Sequence, residues 1–178
     1  HSRRSSRVDS RNIDQEYERI PVPIRRVYAP FFERILVRPE IMQRVDHWAA
    51  TNIDGTVIGV QVRTWRDYER RYRKYYIPAE KRLRRLMENV DDNARFFIVS
   101  DSDDIAPSLA TAFGEARVTH FPRATARADS WQSADGITED LIDMLLLART
   151  QQLFASYLST FSEAAWWLGG ANAAVWAF

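Results

Sequence analysis

The sequence predicts an α/β domain built on a mostly parallel sheet. Short apolar runs rich in β-branched and aromatic residues alternate with amphipathic helical segments along the 178 residues. Parallel strands need crossover connections, so this alternation is typical of right-handed strand–helix–strand units. The chain is 46% hydrophobic and 28% charged, which is a globular composition of single-domain size and excludes a wholly disordered protein.

Five segments are predicted as strands because each is a short apolar run bounded by polar or turn-forming residues. The first, TVIGVQV, is rich in β-branched residues, and the second, RFFIV, ends at the acidic run SDSDD. The predicted strands cover residues 56–62, 95–99, 117–121, 153–156 and 173–178.

The segments between the strands show helical periodicity and helix boundary residues. Proline stands at the start of two of them, Thr138 is a suitable N-cap, and Gly169-Gly170 ends the last. The predicted helices cover residues 39–50, 78–89, 105–113, 138–149 and 160–168. Residues 122–136 are predicted as a polar loop, and the prolines at 21, 23 and 30 argue against a long helix there. Residues 1–50 are interpreted as a polar leader and connecting helical segment, and residues 51–178 as the domain.

Several classes of site are excluded by composition and by missing motifs. The chain has no cysteine and three scattered histidines, so we expect no metal site. It contains no GxGxxG, GxxxxGK[ST] or GxSxG pattern. The apolar stretch 153–178 carries one charge, but Gly169-Gly170 and several hydroxyl residues interrupt it, so a buried strand and helix are favoured over a membrane span.

Polar residues follow two predicted strands, at the sheet edge where parallel α/β domains bind ligands. Arg63 follows the first strand, where its planar guanidinium suits either a phosphate or an ion pair with Asp67 or Asp101. The run 100–104 holds three acids, which lack the spacing of a calcium loop and also suit turn and N-cap roles.

A third candidate site combines a carboxylate and a hydroxyl-rich turn. Asp143 is followed by apolar residues on a predicted helix and therefore needs a polar partner. Ser159 and Thr160 stand where the fourth strand turns into a helix. The unpaired N–H groups of a helix N-terminus bind anions, and the hydroxyls also suit capping.

The segment 63–85 is strongly basic. It holds ten Lys or Arg against three acids, with five aromatic residues interleaved. Three readings are open: a solvated helix face, a lid over an anionic ligand, or a nucleic-acid surface.

Three stretches together resemble the C-terminal half of GT-B fucosyltransferases, the group of core α-1,6-fucosyltransferases, nodulation fucosyltransferases and protein O-fucosyltransferases. VIGVQVRTWRD (57–67) resembles a strand that ends in His-x-Arg, and RFFIVSDSDD (95–104) resembles a strand that ends in Ser/Thr-Asp. DLIDMLLLARTQQLFASYLSTFS (140–162) resembles an acidic helix followed by a strand and a Ser/Thr-rich turn. The resemblance covers about residues 55–170 and implies a Rossmann-like three-layer domain.

The resemblance implies phosphate-binding roles for residues at the strand ends. Arg63 would hold the β-phosphate of GDP-fucose and stabilise charge on the departing GDP. Ser159, with Thr160, would bind the same phosphate.

It also implies contacts to the rest of the nucleotide. Asp143 would accept hydrogen bonds from the guanine ring. Gln61 stands where the family often has histidine and would contact the nucleoside, which is a departure from the family pattern. Asp101 and Ser102 would lie at the rim of the donor site.

The implied activity is metal-independent, inverting transfer of a GDP-sugar, with GDP-fucose as the expected donor, to a hydroxyl of a glycan or protein acceptor. No cofactor beyond the donor and no nucleic-acid partner are expected, and the location would be cytoplasmic in a bacterium. Such enzymes have an N-terminal domain as well, so we expect the isolated half to bind nucleotide but to be a poor catalyst. The alternative is a non-catalytic nucleotide-sugar-binding or basic nucleic-acid-binding α/β domain.

Overall fold

The computed structural model describes residues 20–65, 68–157 and 159–178. It confirms the predicted α/β class: five strands form one sheet in the order β3-β2-β1-β4-β5, and every neighbouring pair is parallel. The arrangement is Rossmann-like. The strands are β1 (Val57–Val62), β2 (Arg95–Ser100), β3 (Val118–Thr119), β4 (Gln152–Ala155) and β5 (Ala174–Ala177).

Helices cover both faces of the sheet and make three layers. Side chains alternate across the strands, so Phe96 and Ile98 of β2 enter one apolar core while Phe97 and Val99 enter the other. The helices are α1 (Val22–Glu33), α2 (Pro39–Asn52), α3 (Glu69–Arg71), α4 (Ile77–Glu88), α5 (Ile105–Phe113), α6 (Ala134–Leu147) and α7 (Thr160–Leu168). A π-helical segment (Tyr72–Tyr76) joins α3 to α4, and a 3₁₀ helix (Arg127–Gln132) precedes α6.

In the described N-terminal part, α2 packs on the core over the sheet and α1 packs against α7. Val45 of α2 is fully buried in the same core as β2 and β4. The prediction against a long helix near residues 21–30 is wrong, because α1 runs for 12 residues with Pro23 in its first turn, where no N–H is needed, and with Pro30 inside it.

Helix α6 begins four residues before the predicted start at Thr138. Its N-cap is Ser133, whose Oγ accepts a hydrogen bond from the Gly136 N–H at 3.0 Å. Thr138 instead donates its hydroxyl to the Ala134 carbonyl at 2.7 Å, one turn back. The predicted third strand is shorter than expected, because only Val118–Thr119 pairs with β2.

Stretch 153–178 forms β4, α7 and β5, as predicted. Across the described ranges, no helix has the length and apolarity that a bilayer crossing requires.

The strand order determines where a ligand can bind. From β1 the chain builds outward through β2 and β3, then returns to the other side of β1 to form β4 and β5. Strands β1 and β4 therefore flank the point where the winding reverses. Their connections leave in opposite directions there, which opens a crevice beyond their carboxyl ends.

Candidate functional site

A cleft of about 500 Å³ opens beyond the carboxyl ends of β1, β2 and β4. Its volume lies in the range of small-molecule sites. Five of the sequence-predicted site residues line it, whereas Ser102 and Asp143 do not. The lining residues are Gln61, Arg63, Trp65, Val99, Ser100, Asp101, Arg127, Ala128, Ser130, Trp131, Asp140, Ser159, Thr160 and Phe161.

Arg63 is positioned by the end of β1. Its backbone N–H donates to Ser156 Oγ at 2.8 Å, and its guanidinium lies 4.8 Å from the centroid of the Trp65 ring. The ion pair with Asp101 that the sequence left open is present, at 3.3 Å. The Arg63 side chain remains 40% exposed, and a guanidinium has five N–H donors, so the ion pair leaves donors for an anion in the cleft.

Asp101 holds the turn that follows β1. Its carboxylate accepts from the Thr64 N–H at 2.7 Å and the Trp65 N–H at 3.4 Å. Trp65 has a φ of 58°, a left-handed conformation that is strained for a bulky side chain. The contacts of Asp101 therefore stabilise a strained backbone at the cleft wall. In the described parts of the chain, no group of three His, Asp or Glu side chains is arranged to bind a metal ion.

The N-terminus of α7 forms the opposite wall. Ser159 is its N-cap and accepts from the Ser162 N–H at 3.4 Å, so the capping role considered from the sequence is present. Thr160 and Phe161, in the first turn, also line the cleft. The first N–H groups of a helix lack intrahelical acceptors and carry partial positive charge. Capping by Ser159 leaves others of these donors for an anion.

Gln61 lies at the floor of the cleft. It is 4% exposed, and its Oε1 has no hydrogen-bond partner among the described residues. A buried carbonyl oxygen without a partner is costly, so a hydroxyl or N–H from a ligand in the cleft would stabilise this position.

Asp143 lies behind the cleft wall, not on it. It is fully buried, and its Oδ2 accepts from Nη1 of Arg123 and Nη1 of Arg127, each at 2.9 Å. Its Oδ1 has no partner among the described residues. Burial raises the pKa of Asp143, and the two guanidiniums oppose that rise.

Asp140, one turn earlier on α6, does line the cleft. Its carboxylate is 2.8 Å from Nη1 of Arg123, and its side chain is 37% exposed. Asp140 is therefore the α6 carboxylate with access to the cleft.

The third wall is the 3₁₀ helix, which lies in the segment 122–136 that was predicted as a polar loop. Arg127 donates to the Ser100 carbonyl at 2.7 Å and so ties this helix to the end of β2. The 3₁₀ helix can approach α6 because residue 136 is glycine: a Cβ there would overlap the Ser130 backbone. Trp131, at the end of this helix, is 73% exposed.

Sequence reasoning missed Arg123, Arg127, Trp131 and Asp140. A signal existed for the two arginines: a carboxylate among apolar residues needs cationic partners, and the segment 122–136 supplies them. Trp131 and Asp140 carried no such signal, because their place on the wall depends on the packing of the 3₁₀ helix against α6.

Ser102 lies on a different, smaller cavity of about 190 Å³, which it shares with Asp103, His120, Arg123 and other residues. Its hydroxyl donates to Asp104 at 2.6 Å. The two cavities are neighbours, because Ser100 and Arg127 line both.

Glu139 anchors the segment that carries these arginines. Its buried carboxylate accepts from the Ala124 N–H at 2.8 Å and the Thr125 N–H at 3.1 Å. Burial acts to raise its pKa, but the two N–H groups and Arg123 outweigh burial and hold the pKa of Glu139 below its ordinary value.

We expect Glu139→Gln to destabilise the fold in a pH-dependent way. A folded-state pKa below the unfolded value stabilises the protein above the unfolded pKa of about 4.3, and this stabilisation is lost as the pH falls through the folded pKa. Urea unfolding should show a loss of about 1–3 kcal/mol at pH 7 that shrinks toward pH 3. Exposed Glu115→Gln is the control, and an equal loss at both pH values would contradict the role assigned to the carboxylate.

Comparison with known proteins confirms the similarity to fucosyltransferases that the sequence motifs suggested. Structures of NodZ alpha-1,6-fucosyltransferase co-crystallised with GDP and soaked with GDP-fucose align with TM-scores of 0.54 and 0.53, each at 26% identity. The alignments cover 75% and 77% of this chain and 43% and 44% of those chains. NodZ from Bradyrhizobium aligns with a TM-score of 0.54, at 26% identity over 75% of this chain and 43% of its own.

POFUT1 in its apo form shares the fold, with a TM-score of 0.56 at 11% identity over 86% of this chain and 49% of its own. No family model and no curated protein matches the chain. The chain spans less than half the length of NodZ and about half that of POFUT1.

Proposed function

We propose that this chain is the donor-binding domain of a glycosyltransferase that binds a GDP-sugar, with GDP-fucose as the donor. One observation carries the proposal: Arg63 and the N-terminus of α7 line one cleft at the reversal point of the sheet. The similarity to NodZ, whose structures include a GDP complex, supports guanine nucleotide as the ligand.

The phosphate end of the donor lies between β1 and α7. Arg63 donates to the β-phosphate, and Ser159 and the first-turn N–H groups of α7 donate from the other side. This pairing of a guanidinium with a helix N-terminus places hydrogen-bond donors and positive charge on both sides of the diphosphate. Gln61 accepts a hydrogen bond from the nucleoside.

The base lies toward α6 and the 3₁₀ helix. Guanine offers an N1–H and an amino group side by side, and a carboxylate accepts both. Asp140 is the α6 carboxylate on the cleft wall, whereas Asp143 lies behind Arg127 and accepts hydrogen bonds from both arginines. We therefore assign base recognition to Asp140 and give Asp143, the sequence-based candidate, the role of positioning Arg123 and Arg127.

The reaction is a displacement with inversion at the anomeric carbon. An acceptor hydroxyl oxygen forms the new bond to this carbon while the bond to the β-phosphate oxygen breaks, and the hydroxyl proton passes to a base. Arg63 stabilises the charge that develops on the leaving GDP. The acceptor is a glycan or a protein, and full activity belongs to the longer enzyme of which the NodZ-like region is a part.

Base selectivity tests this proposal. GDP should bind at least about tenfold more tightly than ADP, because adenine lacks the matching pair of donors, and Asp140→Asn should remove most of that preference. Calorimetric titration of both nucleotides into both variants measures it. Glu115→Gln, an exposed change after the end of α5, is the control. Equal binding of GDP and ADP by the unmodified chain would remove Asp140 as the base reader.

An oligonucleotide titration at two salt concentrations separates the nucleic-acid alternative. Affinity for phosphate backbones falls steeply with salt because counterions are released on binding. Tight, salt-sensitive oligonucleotide binding without a preference for GDP would favour that alternative over the donor site.

A further inference from the structure

The positive charge of the protein is concentrated on one exposed segment. The whole chain has a net charge of +1, yet the segment 68–85 has eight Lys or Arg and two acids. Both acids already form ion pairs with arginines four residues later in the same segment, Glu69 with Arg73 at 2.6 Å and Glu80 with Arg84 at 2.9 Å. The six remaining cations are exposed and form no ion pair with any carboxylate of the described residues: Arg70, Arg71, Lys74, Lys81, Arg82 and Arg85. We call these six residues the basic rim.

Aromatic side chains connect the basic rim to the cleft. Trp65 lines the cleft, and its ring centroid is 6.4 Å from that of Tyr75. The Arg71 guanidinium lies 5.0 Å from the Trp65 ring and 5.1 Å from the Tyr68 ring. Tyr68 is 56% exposed and Tyr75 is 39% exposed. The cleft wall at Trp65 therefore continues into an exposed surface that includes Tyr68, Arg71 and Tyr75, and α4 carries the rest of the basic rim onward from it.

We propose that the basic rim is the acceptor-binding surface and that the acceptor is an acidic carbohydrate chain bearing carboxylate or sulfate groups. The inference rests on the proposed donor site, because the basic rim would guide the carbohydrate that supplies the acceptor hydroxyl to that cleft. The apolar faces of sugar rings pack on exposed aromatic side chains, and guanidinium groups bind carboxylate and sulfate through paired hydrogen bonds. Glu69 and Glu80, the two acids of the segment 68–85, are already paired with arginines of the same segment. The basic rim therefore presents positive charge to the acidic carbohydrate.

The test compares a uronic-acid oligosaccharide with its methyl ester, which keeps the sugars and removes the charges. Titration into the full 178-residue chain should show the acid form binding at least about tenfold more tightly than the ester. A sulfated oligosaccharide of equal length distinguishes the two anionic groups. GDP is titrated in the same samples.

A charge reversal of three rim residues locates the surface. Because one exposed ion pair changes affinity roughly twofold to fivefold, the triple variant should lose about tenfold or more toward the acidic chain and nothing toward GDP. Its substitutions are Lys74→Glu, Lys81→Glu and Arg82→Glu. The control reverses three exposed arginines on and beside α1: Arg26→Glu, Arg34→Glu and Arg38→Glu.

The outcomes separate the two proposals. Normal GDP binding with equal affinity for the acid and the ester would overturn the acceptor inference and leave the donor site intact. An equal loss in the rim and control variants would overturn it too, as would tighter binding of an oligonucleotide than of either acidic oligosaccharide. Failure of GDP binding alone would count against the donor site and not against the rim.

Discussion

Arg63→Ala is expected to weaken GDP binding by about 10- to 150-fold. A hydrogen bond to a charged group contributes about 1.5–3 kcal/mol. Arg63 directly follows β1 and lines the cleft at the proposed phosphate site. The GDP affinity of Arg63→Lys should fall between those of the unmodified chain and Arg63→Ala, because lysine keeps the charge but loses the planar pair of donors. Calorimetric titration of GDP into the three proteins measures the series.

Arg71→Ala is the matched control for this series. Arg71 lies over the same Trp65 ring, at 5.0 Å compared with 4.8 Å for Arg63, but it does not line the cleft. Its removal should leave GDP affinity unchanged. Equal affinity of the unmodified chain and Arg63→Ala would mean that Arg63 serves only its ion pair with Asp101.

Asp143→Asn is expected to lower the free energy of unfolding by about 3–5 kcal/mol. Asp143 is fully buried and is the shared acceptor of two nearly buried guanidiniums, so the variant leaves Arg123 and Arg127 with too little negative charge. The effect is large beside the 5–15 kcal/mol that stabilises a typical domain. Urea unfolding followed by far-ultraviolet circular dichroism measures it.

Asp140→Asn is the control on the same helix. Its carboxylate shares Arg123 with Asp143 but is 37% exposed, and partly exposed ion pairs contribute about 1 kcal/mol or less. A loss of less than about 1 kcal/mol in Asp143→Asn would contradict a structural role and would return Asp143 to consideration as the base reader. Base selectivity is therefore best tested at Asp140, where the fold is less affected.

Local patterns were sufficient for the fold class and for part of the cleft. The alternation of apolar strands and amphipathic helices predicts a parallel sheet, and the carboxyl ends of parallel strands lie at one edge. Residues at strand ends were therefore predictable, and Gln61, Arg63 and Asp101 line the cleft. Ser159 and Thr160 were predictable for a related reason, because a strand-to-helix turn places the helix N-terminus at the same edge.

The exact start of α6 was less predictable from the sequence. Ser133 and Thr138 both have a hydroxyl that suits an N-cap. Which of them caps the helix depends on which backbone conformation lets the hydroxyl accept a hydrogen bond from an unpaired N–H group of the first turn. The structure selects Ser133. This shift brings Gly136 into the helix, where the 3₁₀ helix packs closely against it.

The sequence by itself therefore determined the alternation of strands and helices, the positions of side chains at strand ends, and the charge of the segment 63–85. Only the tertiary structure decided which carboxylate of α6 faces the cleft. Asp140 and Asp143 are one turn apart and lie near the same arginine, so periodicity does not separate them. Packing of the 3₁₀ helix on α6 buries Asp143 beneath Arg127 and leaves Asp140 on the cleft wall. Asp143 can be buried there because Arg123 and Arg127 supply the cationic donors that a carboxylate removed from water needs.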